Sequence, residues 1–140
     1  SMIGTSLGGI VACEIANQLH LKKLTLISGA IQRNEIASFL RIISPLIDLT
    51  PLEFLKLSAG KIDSELTEMF AKSNPDFIRR MCKAIFKWDG LRADIKPFRI
   101  HGLHDHVIPI PTEIDLQIEG GHLIAMTHAK ECVSVIEAIH

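Results

Sequence analysis

The sequence predicts an α/β fold: a parallel sheet with a helical cap inserted between its strands. Three observations lead there. Short β-rich runs at 24–28, 98–101 and 114–118 are separated by long connections, and strands so spaced pair in parallel through helical crossovers. Residues 32–93 carry no strand signal, while their apolar residues keep helical spacing. A glycine-rich turn, Gly4-Thr5-Ser6-Leu7-Gly8-Gly9, stands directly before an apolar helical pattern.

Each element follows from local pattern. After the end of a first strand near Gly4, apolar residues fall at Leu7, Ile10, Val11, Ile15 and Leu19, which predicts a helix with one buried stripe. Residues 24–28 read as a buried strand ended by Gly29. Breaks near Pro45, Pro51, Gly60, Pro75 and Gly90 divide the insertion into four short helices. Strands return at 98–101 and 114–118. A closing helix runs from about 122 to 139, with a stripe of Ala125, Cys132, Val135, Ile136 and Ile139. The organisation is thus 1–31 for the first strand, turn, helix and second strand, 32–93 for the cap, and 94–140 for the C-terminal core. The chain's 140 residues make these one domain.

Composition removes several classes. With 47% hydrophobic and 22% charged residues the chain is globular rather than disordered. A net charge of −1 leaves no basic field for nucleic acid or an anionic membrane. The most apolar stretch, 39–60, is interrupted by Arg41, Pro45, Asp48, Pro51, Glu53 and Lys56, against a membrane span. No signal peptide is expected at the N-terminus. Cys13, Cys82 and Cys132 are odd in number and lack metal-site spacing, so they read as thiols of a reducing compartment. The expectation is a cytoplasmic protein without cofactor.

The sharpest chemical signal is the G-x-S-x-G of residues 4–8. A nucleophilic serine projecting from a tight strand-to-helix turn needs glycine two residues to either side, because the backbones crowd. The helix beneath supplies free N–H groups for a developing oxyanion. Gly8 and Gly9 each cost about 1 kcal/mol at a helix start, which a close helix–strand approach would justify. The same residues also read as a glycine-rich turn without chemistry. A phosphate loop is excluded, since Ile10 stands where its lysine is required. Asp105 then follows one strand and His122 the next, both in loops at the sheet edge where catalytic groups gather in open α/β sheets. Serine, aspartate and histidine in that chain order form a known triad order. His122 would take the proton of Ser6, and Asp105 would fix the imidazole tautomer. Singly, Asp105 also reads as a turn aspartate and His122 as a capping or core histidine.

Through "MIGTSLGG", "FRIHGLHDHVIP" and "IEGGHL" the chain resembles the α/β-hydrolase family along nearly its whole length. That resemblance implies Ser6 as nucleophile, Asp105 as orienting acid, His122 as base and the backbone N–H of Leu7 as an oxyanion donor. The family's domain is roughly twice as long, so the resemblance also implies that four N-terminal strands and the loop giving a second oxyanion donor are absent. The strand leading into Ser6 would then be an uncovered edge able to pair with a second copy in a homodimer. The expected activity is acyl transfer from a small, partly apolar ester or thioester through an acyl-enzyme. The alternatives are carbon–carbon-bond hydrolysis on the same fold, or a catalytically incomplete chain that binds or oligomerises. Dehalogenation is disfavoured, because it uses a carboxylate where Ser6 stands.

The apolar cap, Phe39 and Phe54 among its residues, should partly line a substrate pocket; Trp88 either walls that pocket or packs the cap's last helix. His101, His104, Asp105 and His106 invite a metal reading, but a strand ending at His101 would splay them, so they read as solvated loop histidines around Asp105 and no metal is expected.

Overall fold

The computed structural model describes residues 1–36 and 74–139. Their elements run β1 (Met2–Thr5), α1 (Leu7–Gln18), β2 (Leu24–Ile27), a 3-10 turn (Arg33–Glu35), α2 (Pro75–Lys87), β3 (Phe98–Gly102), β4 (Leu116–Ile118), α3 (Ile124–Thr127) and α4 (Ala129–Ile139). The four strands form one sheet in the order β1-β2-β3-β4. Every pairing is parallel, with Thr5 opposite Ile27, Ile27 opposite Ile100 and Gly102 opposite Ile118. The C-terminal ends of the strands therefore line up along one edge. That alignment brings together loops distant in sequence. Most of the expected cap, with Phe39 and Phe54, lies outside the described residues.

β2 is buried along its whole length, because both faces of a parallel sheet are covered. Leu24 and Leu26 pack under α1 with Ala12, Cys13, Ala16 and Leu91. Ile27 turns to the other face and joins Ile100, Ile118, Ile124 and Cys132. A third cluster covers the C-terminal end: Ala30, Ile36 and Ile108, with Ile10, Ile85, Phe86 and Val107 packed against them. It ties α2 to the turn after β3.

Two expectations need correcting. The buried stripe of α1 is Gly9, Ala12, Cys13 and Ala16, whereas Val11 and Leu19 are exposed. Small residues face the sheet because the helix lies very close to it. A Cβ on Gly4 would stand 2.6 Å from the carbonyl oxygen of Gly8 and 2.7 Å from the Cα of Gly9, and Gly9 itself faces Gly29. The closing helix is also broken at His128, whose φ of −125° lies outside the helical region. The Thr127 hydroxyl bonds the Leu123 carbonyl, and its oxygen lies 2.8 Å from His128 Nδ1.

Arg99 binds the C-terminal half to the loop after β2. Its guanidinium meets Glu35 through two hydrogen bonds of 2.8 and 3.0 Å and donates further to the carbonyls of Gly29 and Glu113. The arginine side chain is 5% exposed and the glutamate 18%. Removing one partner of such a pair strands a buried charge. Glu35→Gln is expected to cost about 3 kcal/mol, read as a lower denaturant midpoint at unchanged slope.

β1 is an edge strand of the described sheet, with Ile3 exposed. No helix among the described residues is long and apolar enough to cross a membrane. Cys13, Cys82 and Cys132 are free thiols. Burial pushes the Cys13 thiol up to about 12, which leaves it unreactive.

Candidate active site

Ser6 sits between β1 and α1 with φ 50° and ψ −123°. For a residue with a Cβ this backbone is strained by roughly 1–3 kcal/mol. The strain is held in place: the Ser6 N–H donates to the carbonyl of Ile27 and its own carbonyl accepts from Gly9, each within 3.0 Å. The absent Cβ of Gly4 lets α1 start directly above β1. Gly8 is different, since a Cβ there would meet nothing within 4 Å. Of the two glycines flanking the serine in G-x-S-x-G, only Gly4 is sterically required.

Asp105 lies three residues beyond β3, in a turn that its own carboxylate organises. Oδ1 accepts from the N–H groups of Val107 and Ile108, both at 2.9 Å. That leaves Oδ2 facing His122 Nδ1 at 2.8 Å. His122 Nε2 in turn lies 2.7 Å from Ser6 Oγ. The Asp105 side chain is wholly buried and that of His122 is 3% exposed. Ser6 comes from β1, Asp105 from β3 and His122 from β4, so the sheet register sets this geometry. A carboxylate accepts only, so His122 Nδ1 carries a proton and its Nε2 is free to accept from Ser6.

Burial alone would raise the Asp105 carboxyl. The N–H groups of His101 and His122, the attraction of a charged His122 and the Ile108 amide outweigh it, and hold Asp105 well below the usual carboxylate range. The group is an anion at neutral pH, suited to orienting and stabilising an imidazolium.

The other predicted residues separate. Leu7 is the first residue of α1, with its backbone N–H at the helix start beside Ser6. The Trp88 indole donates to Glu14 at 3.3 Å, and its ring packs against the core under α1. Those contacts belong to the packing of α2 rather than to Ser6 or His122. His104 pairs with Glu119 at 2.7 Å on the surface and His106 is exposed, as expected. His101 is not a solvated loop residue: it is 1% exposed within β3. Among the described residues no three His, Cys, Asp or Glu side chains converge on a point that could hold a metal. The sequence reading missed Ile10, Ile85, Phe86 and Val107, which form an apolar layer at the Asp105 turn. Their apolar character was visible, but their convergence depends on α2 reaching the sheet edge.

No protein-family model matches the chain, and no curated protein does. Solved structures do. An enol-lactonase from Burkholderia xenovorans is similar at a TM-score of 0.69 and 14% identity, over 97% of this chain and 63% of that one. A hydrolase from Pseudomonas aeruginosa gives 0.67 and 14%, over 97% and 62%. An esterase from Exiguobacterium antarcticum gives 0.64 and 13%, over 99% and 65%. The chain spans less than two thirds of the length of each of these structures.

Proposed function

We propose that this chain, which has part of the α/β-hydrolase fold, works as a serine hydrolase on a small, partly apolar ester or thioester. One observation carries the reading: Ser6 Oγ, His122 and Asp105 stand in a line of contacts of 2.7 and 2.8 Å, starting from a strained turn at a helix start. Similarity to an esterase and an enol-lactonase supports hydrolysis as the reaction type.

The steps follow from the contacts. His122 Nε2 takes the proton of Ser6 as Oγ attacks the substrate carbonyl carbon. The oxyanion that forms is met by the backbone N–H of Leu7 at the positive end of α1. As the intermediate collapses, the carbon–oxygen or carbon–sulfur bond breaks and His122 returns the proton to the leaving group. Water, deprotonated by His122, then splits the acyl-Ser6 ester and Ser6 regains its proton. Throughout, Asp105 stays ionised and balances the imidazolium. An apolar acyl part is supported by Ile10, Ile85, Phe86 and Val107 beside the Asp105 turn. Free cysteines support a cytoplasmic setting.

A fluorophosphonate probe tests the nucleophile without requiring the natural substrate. The expected result is a single adduct, mapped by mass spectrometry to the peptide bearing Ser6, absent from Ser6→Ala and slowed at least 10³-fold in His122→Ala. A wild-type chain left unlabelled, or an adduct that survives Ser6→Ala, would overturn the proposal and favour a chain that binds without turnover.

A further inference from the structure

Asp105 touches a second buried histidine. His101 Nε2 lies 2.7 Å from the carbonyl oxygen of Ile108 and 3.3 Å from Asp105 Oδ2. Both partners are acceptors, and a peptide carbonyl can never donate. Nε2 therefore carries the hydrogen. On the other side of the ring Nδ1 is buried with no partner among the described residues, a position where a second N–H would be left unsatisfied. The ring is thus held in one tautomer, with Nε2–H aimed at the turn and Nδ1 bare.

We infer that His101 is a positioning residue for Asp105, an inference that rests on the hydrolase reading. Its N–H pins the carbonyl of the same residue, Ile108, whose amide holds Asp105 Oδ1. The turn at 105–108 is thereby fastened to β3 from within the core. With Oδ1 engaged by Val107 and Ile108, Oδ2 is left to the ring N–H groups of His122, at 2.8 Å, and His101, at 3.3 Å. Without the Nε2–H of His101, the Ile108 carbonyl is a buried acceptor with no donor, and the turn can rotate to find one. A shift of about 1 Å in a catalytic group costs on the order of 10²-fold in rate.

The test pairs His101→Leu and His101→Asn with His101→Gln. Leucine has no donor and the shorter asparagine cannot reach the turn, while glutamine places its amide nitrogen where Nε2 stood. Two-bond proton–nitrogen correlation spectra of the wild-type chain are expected to show His101 with Nε2 protonated. The His122 Nδ1–H resonance should shift or broaden in His101→Leu and His101→Asn and return in His101→Gln. Fluorophosphonate labelling of Ser6 should fall roughly 10–10²-fold in the first two variants and recover to within a few-fold in the third. Circular dichroism accompanies each variant, and either of the first two variants that folds decides the matter. A wild-type His101 protonated on Nδ1, or a folded His101→Leu or His101→Asn chain with an unchanged His122 resonance, would overturn the inference. A wild-type chain that shows these resonances but takes no label would overturn the hydrolase reading alone.

Discussion

Asp105→Asn is expected to slow acylation of Ser6 by about 10⁴-fold while leaving the fold in place. The reason is the hydrogen-bond count around this side chain. Val107 and Ile108 both donate to Oδ1, so the asparagine must keep its carbonyl oxygen there. Its NH₂ group then takes the place of Oδ2, facing His122 Nδ1. Two donors cannot share that contact, and His122 changes tautomer, leaving Nδ1 bare and Nε2 protonated. Nε2 is the atom that meets Ser6 Oγ, and once protonated it cannot receive the serine proton. The lost rate is thus a tautomer effect, separable from misfolding by an unchanged far-ultraviolet spectrum.

The same substitution changes acid stability in a defined direction. Asp105 is held well below the usual carboxylate range in the folded chain, so its contribution is present above the unfolded value of about 3.9 and is lost as pH falls below it. Wild-type stability should drop more steeply than that of Asp105→Asn below about pH 4, measured by urea unfolding across pH. Parallel curves for the two chains would contradict the buried, ionised Asp105 on which the rate argument depends.

Much of the fold was legible because its signals are local. The runs at 24–28 and 98–101 contain β2 and most of β3, and among the described residues the strands and helices follow the expected order, apart from the closing helix, which is two. That Ser6, Asp105 and His122 come together follows from topology: each lies in the loop after a strand, and parallel strands end on the same edge. Which residues are buried was harder to read. The larger Val11 in α1 and Leu19 just past its end suggest the inner face, but the buried residues of the helix are Gly9, Ala12, Cys13 and Ala16, where it approaches β1 closely. His101 was misplaced for a related reason. The polar cluster His104, Asp105 and His106 follows closely in sequence, and the carbonyl that satisfies His101 belongs to Ile108, in a turn whose path no local pattern specifies. The break at His128 arises likewise from contacts that a helical stripe does not encode.

Gly102→Ala is expected to be among the most damaging single changes in the chain, although it adds one methyl group. Gly102 ends β3, where the loop carrying His122 crosses the loop carrying Asp105. A Cβ at Gly102 would overlap the carbonyl oxygen of Gly121 and stand 2.7 Å from that of Gly120. Neither obstacle is the flexible end of a side chain. The Gly120 carbonyl also accepts from the His104 N–H at 2.8 Å, and the Ile118 carbonyl from the Leu103 N–H at 2.9 Å. The backbone must move against these bonds, and His122, one residue past Gly121, moves with it away from Asp105. A loss of roughly 3 kcal/mol in unfolding free energy is expected from the clash, together with a fall of at least about 10² in Ser6 labelling from the misplaced imidazole. Gly8→Ala is the matched control: the added methyl meets nothing within 4 Å and the residue is helical, so the change should be neutral or stabilise by up to about 1 kcal/mol. Denaturant unfolding of the two variants checks the pair. Equal stability would mean that the crossing at Gly102 yields without cost, and that the Asp105–His122 contact is not held by the packing of these two loops.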